Sequence, residues 1–331
     1  MKDVAAHAGV SPMTVSRTLA GGTNVRPDVQ ERVLRSVEEL GYYRNENARS
    51  IRPGQTSGLI GVAITNIANP YYGTFALGVE EEVARTGRRI ILGNTAEDGA
   101  REQQLVHDFL GRRVEGLIVV PTDTDGVHLA RSRKEGVPVV LASRRVEGVD
   151  ADSVVLDDAG GAYAATMALL DAGHRRIAYL GNTRSIYTGR RRYDGFVAAH
   201  AERGVEVDSK LALPGQQDVA SAQHVAARLL DLDEPPTGIF CANNRNTVGA
   251  VTEITRRVRD GRLDAAAAPA LVSFDDFELS DVVPTLVGIV EHDPRELGRR
   301  AARLLLDRLD GDADQSARDI VLPVHLRPTA V

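Results

Sequence analysis

The chain has 331 residues, of which 43% are hydrophobic and 26% charged, and its net charge at pH 7 is −6. This length accommodates two or three compact units. The sequence has neither an apolar run long enough to span a bilayer nor an apolar leader, so we expect no membrane association and no export. The single cysteine, Cys241, excludes an internal disulfide and favours a cytoplasmic protein.

Two short helices are predicted at the start of the chain, separated by a sharp corner at Gly9. Glycine readily adopts the left-handed conformation that ends a helix. The second helix is predicted over residues 12–20, with Ser11 as its N-cap and Pro12 at its first position, where a missing N–H costs nothing. Two helices joined in this way form a helix-turn-helix, whose second helix enters the DNA major groove. An ordinary helical hairpin is the alternative.

The exposed face of the second helix carries the side chains that would reach DNA. Its apolar residues Val15 and Leu19 face the first helix, so the remaining side chains point outward. The residues of this segment that we predict to contact DNA are Ser11, Pro12, Met13, Thr14, Ser16 and Arg17. The charge distribution agrees with this prediction. Residues 1–52 hold eight Lys and Arg against six Asp and Glu, a balance of +2 that leaves −8 for the rest of the chain.

A third helix, predicted from Pro27 to Leu40, completes a three-helix head and is stopped by Gly41. The next segment, residues 45–51, has helix-forming character and ends before Pro53. About seven residues cannot hold a helix alone in water, because helix nucleation is too costly. We therefore expect this segment to become helical only when a partner organises it. A solvated linker is the alternative.

From Gly58 onward, apolar strands alternate with amphipathic helices. The predicted strands are residues 59–64, 89–92, 116–120, 137–142, 154–156, 177–180, 238–241 and 271–274. Such βαβ repetition predicts parallel sheets covered by helices on both faces, and two series of repeats predict two lobes. The fold class is therefore α/β: a helix-turn-helix head followed by a two-lobed body of doubly wound parallel sheets.

Polar and aromatic side chains stand at or near the carboxyl ends of the predicted strands, where an open α/β sheet binds its ligand. The predicted ligand-binding residues are Tyr71, Tyr72, Thr122, Asp123, Arg192, Phe240, Asn243 and Asp275. Aromatic faces beside Asp, Asn and Arg suit a sugar or sugar phosphate, and they also suit a nucleoside or purine. For each residue alone, an ordinary surface or ion-pair role is the alternative.

No catalytic, cofactor or metal motif is present in the sequence. It contains no phosphate-binding glycine loop, no HExxH, no CxxC and no GxSxG, and the eight histidines lack metal-ligand spacing. We therefore predict no catalytic residue, no cofactor and no metal.

The sequence leaves two alternatives to a DNA-binding regulator. A solute-binding protein of a transport system would explain the body but not the helix-turn-helix. An α/β oxidoreductase would need a GxGxxG turn after an early strand, and none is present.

Three segments in order, AAHAGVSPMTVSRTL, VRPDVQERVLRSVEELGY and NARSIRPGQT, resemble the start of the LacI/GalR family of transcription regulators. From residue 58 to about 326 the chain resembles the periplasmic-binding-protein fold, type I. The resemblance implies a repressor that binds double-stranded, pseudo-palindromic operator DNA as a homodimer. It also implies control by a small-molecule effector, such as a sugar or sugar derivative, bound between the lobes. The sequence shows no added heptad segment before it stops at Val331, so we expect a dimer rather than a tetramer.

The resemblance also implies roles for individual residues. It makes the segment after the head a hinge helix, which sits in the minor groove beside its dimer mate. The DNA-contacting residues implied there are Asn45, Ala48, Arg49, Ile51 and Arg52, with Ile51 as the apolar wedge between bases. In the body, it makes Arg192, Asn243 and Asp275 direct effector ligands.

The domain boundaries that follow are a head at residues 1–44, a hinge at 45–57 and a body at 58–331. In the resembled fold the chain crosses between the lobes three times, and we expect these crossings near residues 156–161, 286–290 and 317–321. Lobe 1 would then hold residues 58–157 and 290–318. Lobe 2 would hold residues 158–289 and 319–331.

Overall fold

The computed structural model describes residues 1–19, 21, 24–43, 56–122, 125–311 and 316–329. The chain forms two compact units, Met1–Ser57 and Gly58–Val331. Among the described residues, no helix combines the length and apolar character that crossing a membrane requires.

The first unit contains three helices, α1 (Lys2–Ala8), α2 (Pro12–Leu19) and α3 (Pro27–Glu39). Gly9 ends α1 in the left-handed conformation, with φ of 65°. The hydroxyl of Ser11 accepts a hydrogen bond from the backbone N–H of Thr14 at 3.1 Å, which is the predicted N-cap. The buried core of the unit consists of Val4, Ala5, Ala8, Val15 and Val33. The predicted helix-turn-helix within a three-helix head is therefore confirmed.

The second unit is built from two six-stranded sheets. The strands are β1 (Leu59–Ile64), β2 (Arg89–Asn94), β3 (Gly116–Val119), β4 (Val139–Ala142), β5 (Asp152–Leu156), β6 (Ile177–Gly181), β7 (Ala212–Pro214), β8 (Gly238–Cys241), β9 (Ala270–Phe274), β10 (Leu286–Glu291), β11 (Asp319–Leu322) and β12 (His325–Pro328). The first sheet has the order β11-β5-β4-β3-β1-β2, and the second has the order β12-β10-β9-β8-β6-β7. All pairings are parallel except that of β10 with β12.

Helices cover both faces of each sheet, as predicted. They are α4 (Pro70–Ala84), α5 (Gly99–Gly111), α6 (Val127–Lys134), α7 (Asp158–Asp171), α8 (Tyr187–Glu202), α9 (Val219–Leu230), α10 (Asn244–Arg259) and α11 (Pro294–Leu309), with short 3-10 turns at Ala265–Ala267 and Ser280–Val282. Along β1, Val62 packs into one apolar cluster and Ala63 into another, because successive side chains of a strand point to opposite faces. A strand buried on both faces reads as a continuous apolar run, which is why the sequence revealed it.

The chain crosses between the two sheets three times, and two of the predicted crossings are wrong in position. The segment Leu286–Glu291 lies wholly in the second sheet, so that crossing comes after it. Strand Asp319–Leu322 pairs in parallel with residues 153–156 of the first sheet, although the sequence assigned residues 319–331 to the second lobe. The third crossing therefore follows Leu322. The physical reason is backbone hydrogen bonding: this short strand completes the edge of the first sheet.

Helices α4 and α11 approach each other closely because each places a glycine at the contact. A Cβ atom at Gly78 would collide with the backbone carbonyl of Arg295, and one at Gly298 would collide with that of Phe75. Beside the glycines, Arg303 forms an ion pair with Glu82 at 2.6 Å. Backbone atoms cannot move aside as a flexible side chain can, so the position of Gly78 admits no larger residue.

We expect Gly78→Ala to lower the free energy of unfolding by about 1–3 kcal/mol, because the added methyl group overpacks the α4–α11 contact. Gly73→Ala is the matched control, since Gly73 lies in the same helix and its Cβ would meet no atom of a described residue within 4 Å. That control should be neutral or stabilising by up to about 1 kcal/mol, because glycine is a poor helix former. Denaturant unfolding followed by circular dichroism measures both changes. Equal free energies of unfolding of the two variants would contradict the close α4–α11 contact at Gly78.

Candidate functional site

A cavity of about 270 Å³ lies between the two lobes of the second unit; we call it the main cavity. The first lobe contributes Asn66, Asn69, Tyr71, Tyr72 and Arg144, and the second contributes Asn182, Arg192, Asn243, Arg245 and Asp275. Half of these ten residues follow the end of a parallel strand by one or two positions: Asn66, Arg144, Asn182, Asn243 and Asp275. The cavity therefore lies where the fold predicts a ligand site.

The structure brings together five of the eight residues that the sequence assigned to this site. Tyr71, Tyr72, Arg192, Asn243 and Asp275 all line the main cavity. Their contact with an effector stays a prediction.

The remaining three residues fare differently. Thr122 lines a separate cavity next to the main one. The prediction for Phe240 is wrong: its side chain is fully buried, with its ring packed against those of Tyr179 and Phe196. An apolar residue inside a central strand belongs to the core rather than to the strand end. Asp123 lies outside the described residues.

Arg192 is buried in helix α8 and is held from three sides. Its Nε–H donates to the carboxylate of Asp158 at 2.7 Å, and its Nη1 donates to the backbone carbonyl of Ala242 at 2.5 Å. The guanidinium carbon lies 3.6 Å from the centre of the Phe274 ring, a cation–π contact. These contacts fix the plane of the guanidinium group and leave Nη2 without a hydrogen-bond partner among the described residues. Arg192 therefore presents a rigid donor to the cavity.

Two carboxylates lie beside the Arg192 guanidinium, and their pKa values shift in opposite directions. Asp275 lies 3.5 Å from Nη1 of Arg192 and is hydrogen bonded to Nε2 of His292 at 3.0 Å. Burial opposes ionisation of Asp275, but the charge of Arg192 and the hydrogen bond from His292 hold its pKa below the ordinary value. Burial raises the pKa of Asp158 despite the neighbouring Arg192. Asp275 is thus the carboxylate poised to face a ligand as an anion.

The wall from the first lobe is equally constrained. Arg144 is only 4% exposed and forms two 2.7 Å hydrogen bonds with the carboxylate of Glu97. The hydroxyls of Tyr71 and Ser143 are 3.1 Å apart and share a hydrogen bond. Burial raises the pKa of Tyr71, so the ring carries a neutral hydroxyl at physiological pH.

Backbone strain concentrates around the main cavity. Six non-glycine residues of the described chain have positive φ, and four of them line this cavity: Ala96 (54°), Glu97 (58°), Ser143 (63°) and Asp275 (69°). Each such conformation costs on the order of 1–3 kcal/mol and persists only where the surroundings impose it. No sequence pattern signals these conformations, because none of the four is a glycine.

A pair of amides joins the lobes directly. Nδ2 of Asn244 donates to Oδ1 of Asn69 at 2.9 Å, and Nδ2 of Asn69 donates to Oδ1 of Asn244 at 3.3 Å. Asn69 also caps helix α4 by accepting the N–H of Tyr71. Asn182 and Arg144 were not predicted as site residues from the sequence. Their positions just after strands are the signal that could have found them.

The head presents a second candidate surface. Met13 is 63% exposed, and Arg17 is exposed and makes no ion pair with any described residue. Thr14 and Ser16 are half-buried, Pro12 is exposed, and Ser11 uses its hydroxyl to cap α2. The predicted hinge residues Asn45, Ala48, Arg49, Ile51 and Arg52 lie outside the described residues.

The described residues offer little reactive chemistry. Among them, no group of three or more His, Cys, Asp and Glu side chains is placed to hold a metal ion. Burial raises the pKa of Cys241 to about 12, so this thiol stays protonated and unreactive. The arrangement suits binding through hydrogen bonds and ring contacts.

The chain matches two protein-family models. Residues 1–45 match the family described as bacterial regulatory proteins of the lacI family. Residues 57–327 match the family described as periplasmic binding proteins and the sugar binding domain of the LacI family. Together the two models cover most of the chain.

Individual relatives match over nearly their full length. Catabolite control protein A of Priestia megaterium is 30% identical over 317 residues, which is 95% of this chain and 94% of the relative. The HTH-type transcriptional regulator GalR of Escherichia coli (strain K12) is 28% identical over 331 residues, covering 100% and 95%. Among solved structures, the transcriptional regulator CelR in complex with cellobiose is similar, with a TM-score of 0.73 at 27% identity, covering 98% and 97%.

We expect Arg192→Ala to lower the free energy of unfolding at pH 7 by about 3–5 kcal/mol, because it leaves two buried carboxylates without their cation. The deficit should shrink as the pH falls from 7 toward 4. Without the cation the folded-state pKa values of Asp158 and Asp275 rise, and protonation then removes the uncompensated charges.

The control is Arg191→Ala, which removes an exposed arginine that makes no ion pair with any described residue, one position away on the same helix. It should change stability little at any of these pH values. Denaturant titrations of both variants between pH 4 and pH 7 measure the difference. A deficit for Arg192→Ala that does not vary with pH would contradict the charge assignment.

Proposed function

The chain belongs to the LacI family of DNA-binding transcriptional regulators, and on that premise we propose that it is a sequence-specific repressor whose affinity for operator DNA is controlled by a small molecule held between its two lobes. One observation carries the proposal. A single chain joins a helix-turn-helix with an exposed polar helix face to a polar cavity lined by both lobes. The first feature supplies DNA recognition, and the second supplies a place where a ligand can act on lobe geometry.

The head would read DNA through α2. Arg17 is exposed and free to contact a base edge or phosphate, and Met13 offers an apolar surface to a thymine methyl group. A homodimer places two heads on a two-fold, pseudo-palindromic operator. Residues 45–57 would form the hinge, with Ile51 as the wedge in the minor groove. The protein acts in the cytoplasm, where its operator is.

The effector would act by favouring one angle between the lobes. A ligand that touches Tyr72 in the first lobe and Arg192, Asn243 and Asp275 in the second has an affinity that depends on that angle. This differential affinity is the means by which it shifts the equilibrium. A coupling free energy of about 1–3 kcal/mol changes DNA affinity by roughly 5- to 150-fold, enough for regulation.

The chemistry of the cavity favours a sugar or related metabolite as the effector. Its walls present amides, hydroxyls, carboxylates and guanidinium groups beside two tyrosine rings, a set that matches polyhydroxylated ligands. The similar regulator CelR was solved in complex with cellobiose, and a LacI family regulator of Enterococcus faecium was solved with bound ribose. These complexes support a carbohydrate effector for this chain.

A solute-binding protein of a transport system is the alternative. Such a protein would share the two-lobed body and the main cavity. The head favours the regulator, because its three helices and the family match over residues 1–45 have no role in solute capture.

We expect Arg17→Ala to weaken binding to the operator by about 1–3 kcal/mol, roughly 5- to 150-fold, because it removes one base or phosphate contact. Arg131→Ala is the control: it removes an exposed arginine of the body and should leave operator affinity unchanged. Fluorescence anisotropy with an operator selected from genomic fragments measures both affinities at physiological salt. An unchanged affinity for Arg17→Ala would remove this residue from the DNA interface.

We expect Arg192→Lys to bind operator DNA with wild-type affinity and to lose its response to effector. Lysine keeps one positive charge beside the two carboxylates, so the fold is maintained, but it lacks the planar fork of donors. Thermal-shift assays with a panel of sugars, sugar phosphates and nucleosides identify the effector first, and titration of the protein–operator complex then measures the response. Arg191→Lys on the same helix should respond as the wild type does. A wild-type response of Arg192→Lys would place the ligand site elsewhere.

A further inference from the structure

A second cavity of about 250 Å³ opens beside the main cavity and shares Arg144 with it; we call it the side cavity. The first lobe contributes Thr122 at the end of β3 and Arg145 after β4. The second lobe contributes Ser185 and Arg190 around the start of helix α8. The side cavity therefore receives hydrogen-bond donors and positive charge from both lobes.

Arg145 and Arg190 of the side cavity each have N–H groups available for a further hydrogen bond. Nη1 of Arg145 lies 3.2 Å from Asp319, and its Nε finds no hydrogen-bond partner in the described parts of the chain. Nη2 of Arg190 lies 3.6 Å from the carboxylate of Glu147, which is beyond hydrogen-bond distance, and the side chain of Glu147 is 93% exposed. An exposed ion pair of this kind contributes little. Both guanidinium groups can therefore bind a further anion.

Two residues that line the side cavity also carry buried polar atoms without partners among the residues that the structure describes. Thr122 is 6% exposed and its hydroxyl oxygen accepts or donates no hydrogen bond within that part of the chain, and Arg144 is 4% exposed and its Nε donates none there. Buried polar atoms are nearly always paired in folded proteins, so unpaired ones indicate a missing partner. Helix α8 adds a third indication, because Ile186 provides no side-chain cap for its first N–H groups. Those N–H groups favour a negative charge at this position.

We propose that the side cavity formed by Thr122, Arg145, Ser185 and Arg190 binds the phosphate group of a phosphate monoester effector whose uncharged part occupies the main cavity. This inference rests on the proposed function and narrows the class of its effector. The side cavity offers hydroxyl, guanidinium and backbone N–H donors. Of the described residues that line it, Glu147 alone carries a carboxylate, and that side chain is exposed. A tetrahedral dianion can accept hydrogen bonds in several directions and so reach both lobes at once.

The phosphate would also supply the coupling between ligand and lobe geometry. Arg145 belongs to the first lobe and Arg190 to the second, and like charges across a crevice repel. A dianion between them replaces that repulsion with attraction to both sides. The bound phosphate therefore stabilises the arrangement that brings the lobes together, which is the differential affinity that an effector needs.

The test uses the full chain and inorganic phosphate as the probe, with thermal unfolding followed at constant ionic strength. Phosphate also stabilises proteins in general by exclusion from their surface, and that effect does not saturate. We expect the wild type to show an additional, saturable rise in melting temperature. Arg145→Gln and Arg190→Gln should each weaken this saturable binding by about tenfold or more, since each removes a charge-assisted contact.

Arg191→Gln is the matched control, because Arg191 neighbours Arg190 on helix α8 but does not line the side cavity. It should bind phosphate as the wild type does. Acetate tests the carboxylate class in the same way, and saturable binding of acetate equal to that of phosphate would overturn the assignment to phosphate. The proposal would be overturned if the wild type showed no saturable phosphate binding. It would also be overturned if the wild type and the three Arg→Gln variants bound phosphate with equal affinity. Operator binding with a normal response to an uncharged metabolite would then leave the proposed function intact.

Discussion

The buried guanidinium of Arg192 organises the ligand-facing end of the second lobe. It connects helix α8 to the start of α7 through Asp158, to the end of β8 through the carbonyl of Ala242, and to the end of β9 through Phe274. A buried charge is tolerated only when it is paired and hydrogen bonded, so these contacts are required together. The same group that holds four elements in place is the one that presents a free donor to the main cavity. The structural role and the proposed binding role of this arginine therefore cannot be separated by simple deletion.

The main cavity lies beside the segments that connect the two sheets. Asp158 comes directly after the first crossing between the sheets, and His292 lies within the second. His292 links back to Asp275 at 3.0 Å, and its ring lies edge-on to that of Tyr71 at 5.5 Å. A change in the angle between the lobes therefore acts directly on the groups that line the cavity. The paired amides of Asn69 and Asn244 add a contact that any opening of the lobes must break.

Much of the fold could be predicted from the sequence because its signals are local. Gly9 ends the first helix, Ser11 caps the second and Pro12 begins it, each through contacts within one turn of the chain. The helix-turn-helix could therefore be predicted without any knowledge of tertiary contacts. The strands near the middle of each sheet are continuous apolar runs, since both of their faces are buried. The short strands β7, β11 and β12 lie at sheet edges and carry no such run, and the sequence did not reveal them. The interior strand β10 was missed for another reason: its apolar run was assigned to a crossing between the lobes.

By itself, the sequence determined the α/β class, the head, the two lobes and the end of the sheets at which a ligand would bind. Only the tertiary structure decided which strand-end residues share a cavity. It separated Thr122 into a side cavity, buried Phe240 in the core, and brought Arg192 to Asp158, 34 positions earlier in the chain. It also placed Asp319–Leu322 in the first sheet rather than the second. Capping, turns and strand periodicity depend on neighbours in sequence, whereas pairing of charges and of edge strands depends on which distant segments packing brings within a few ångströms.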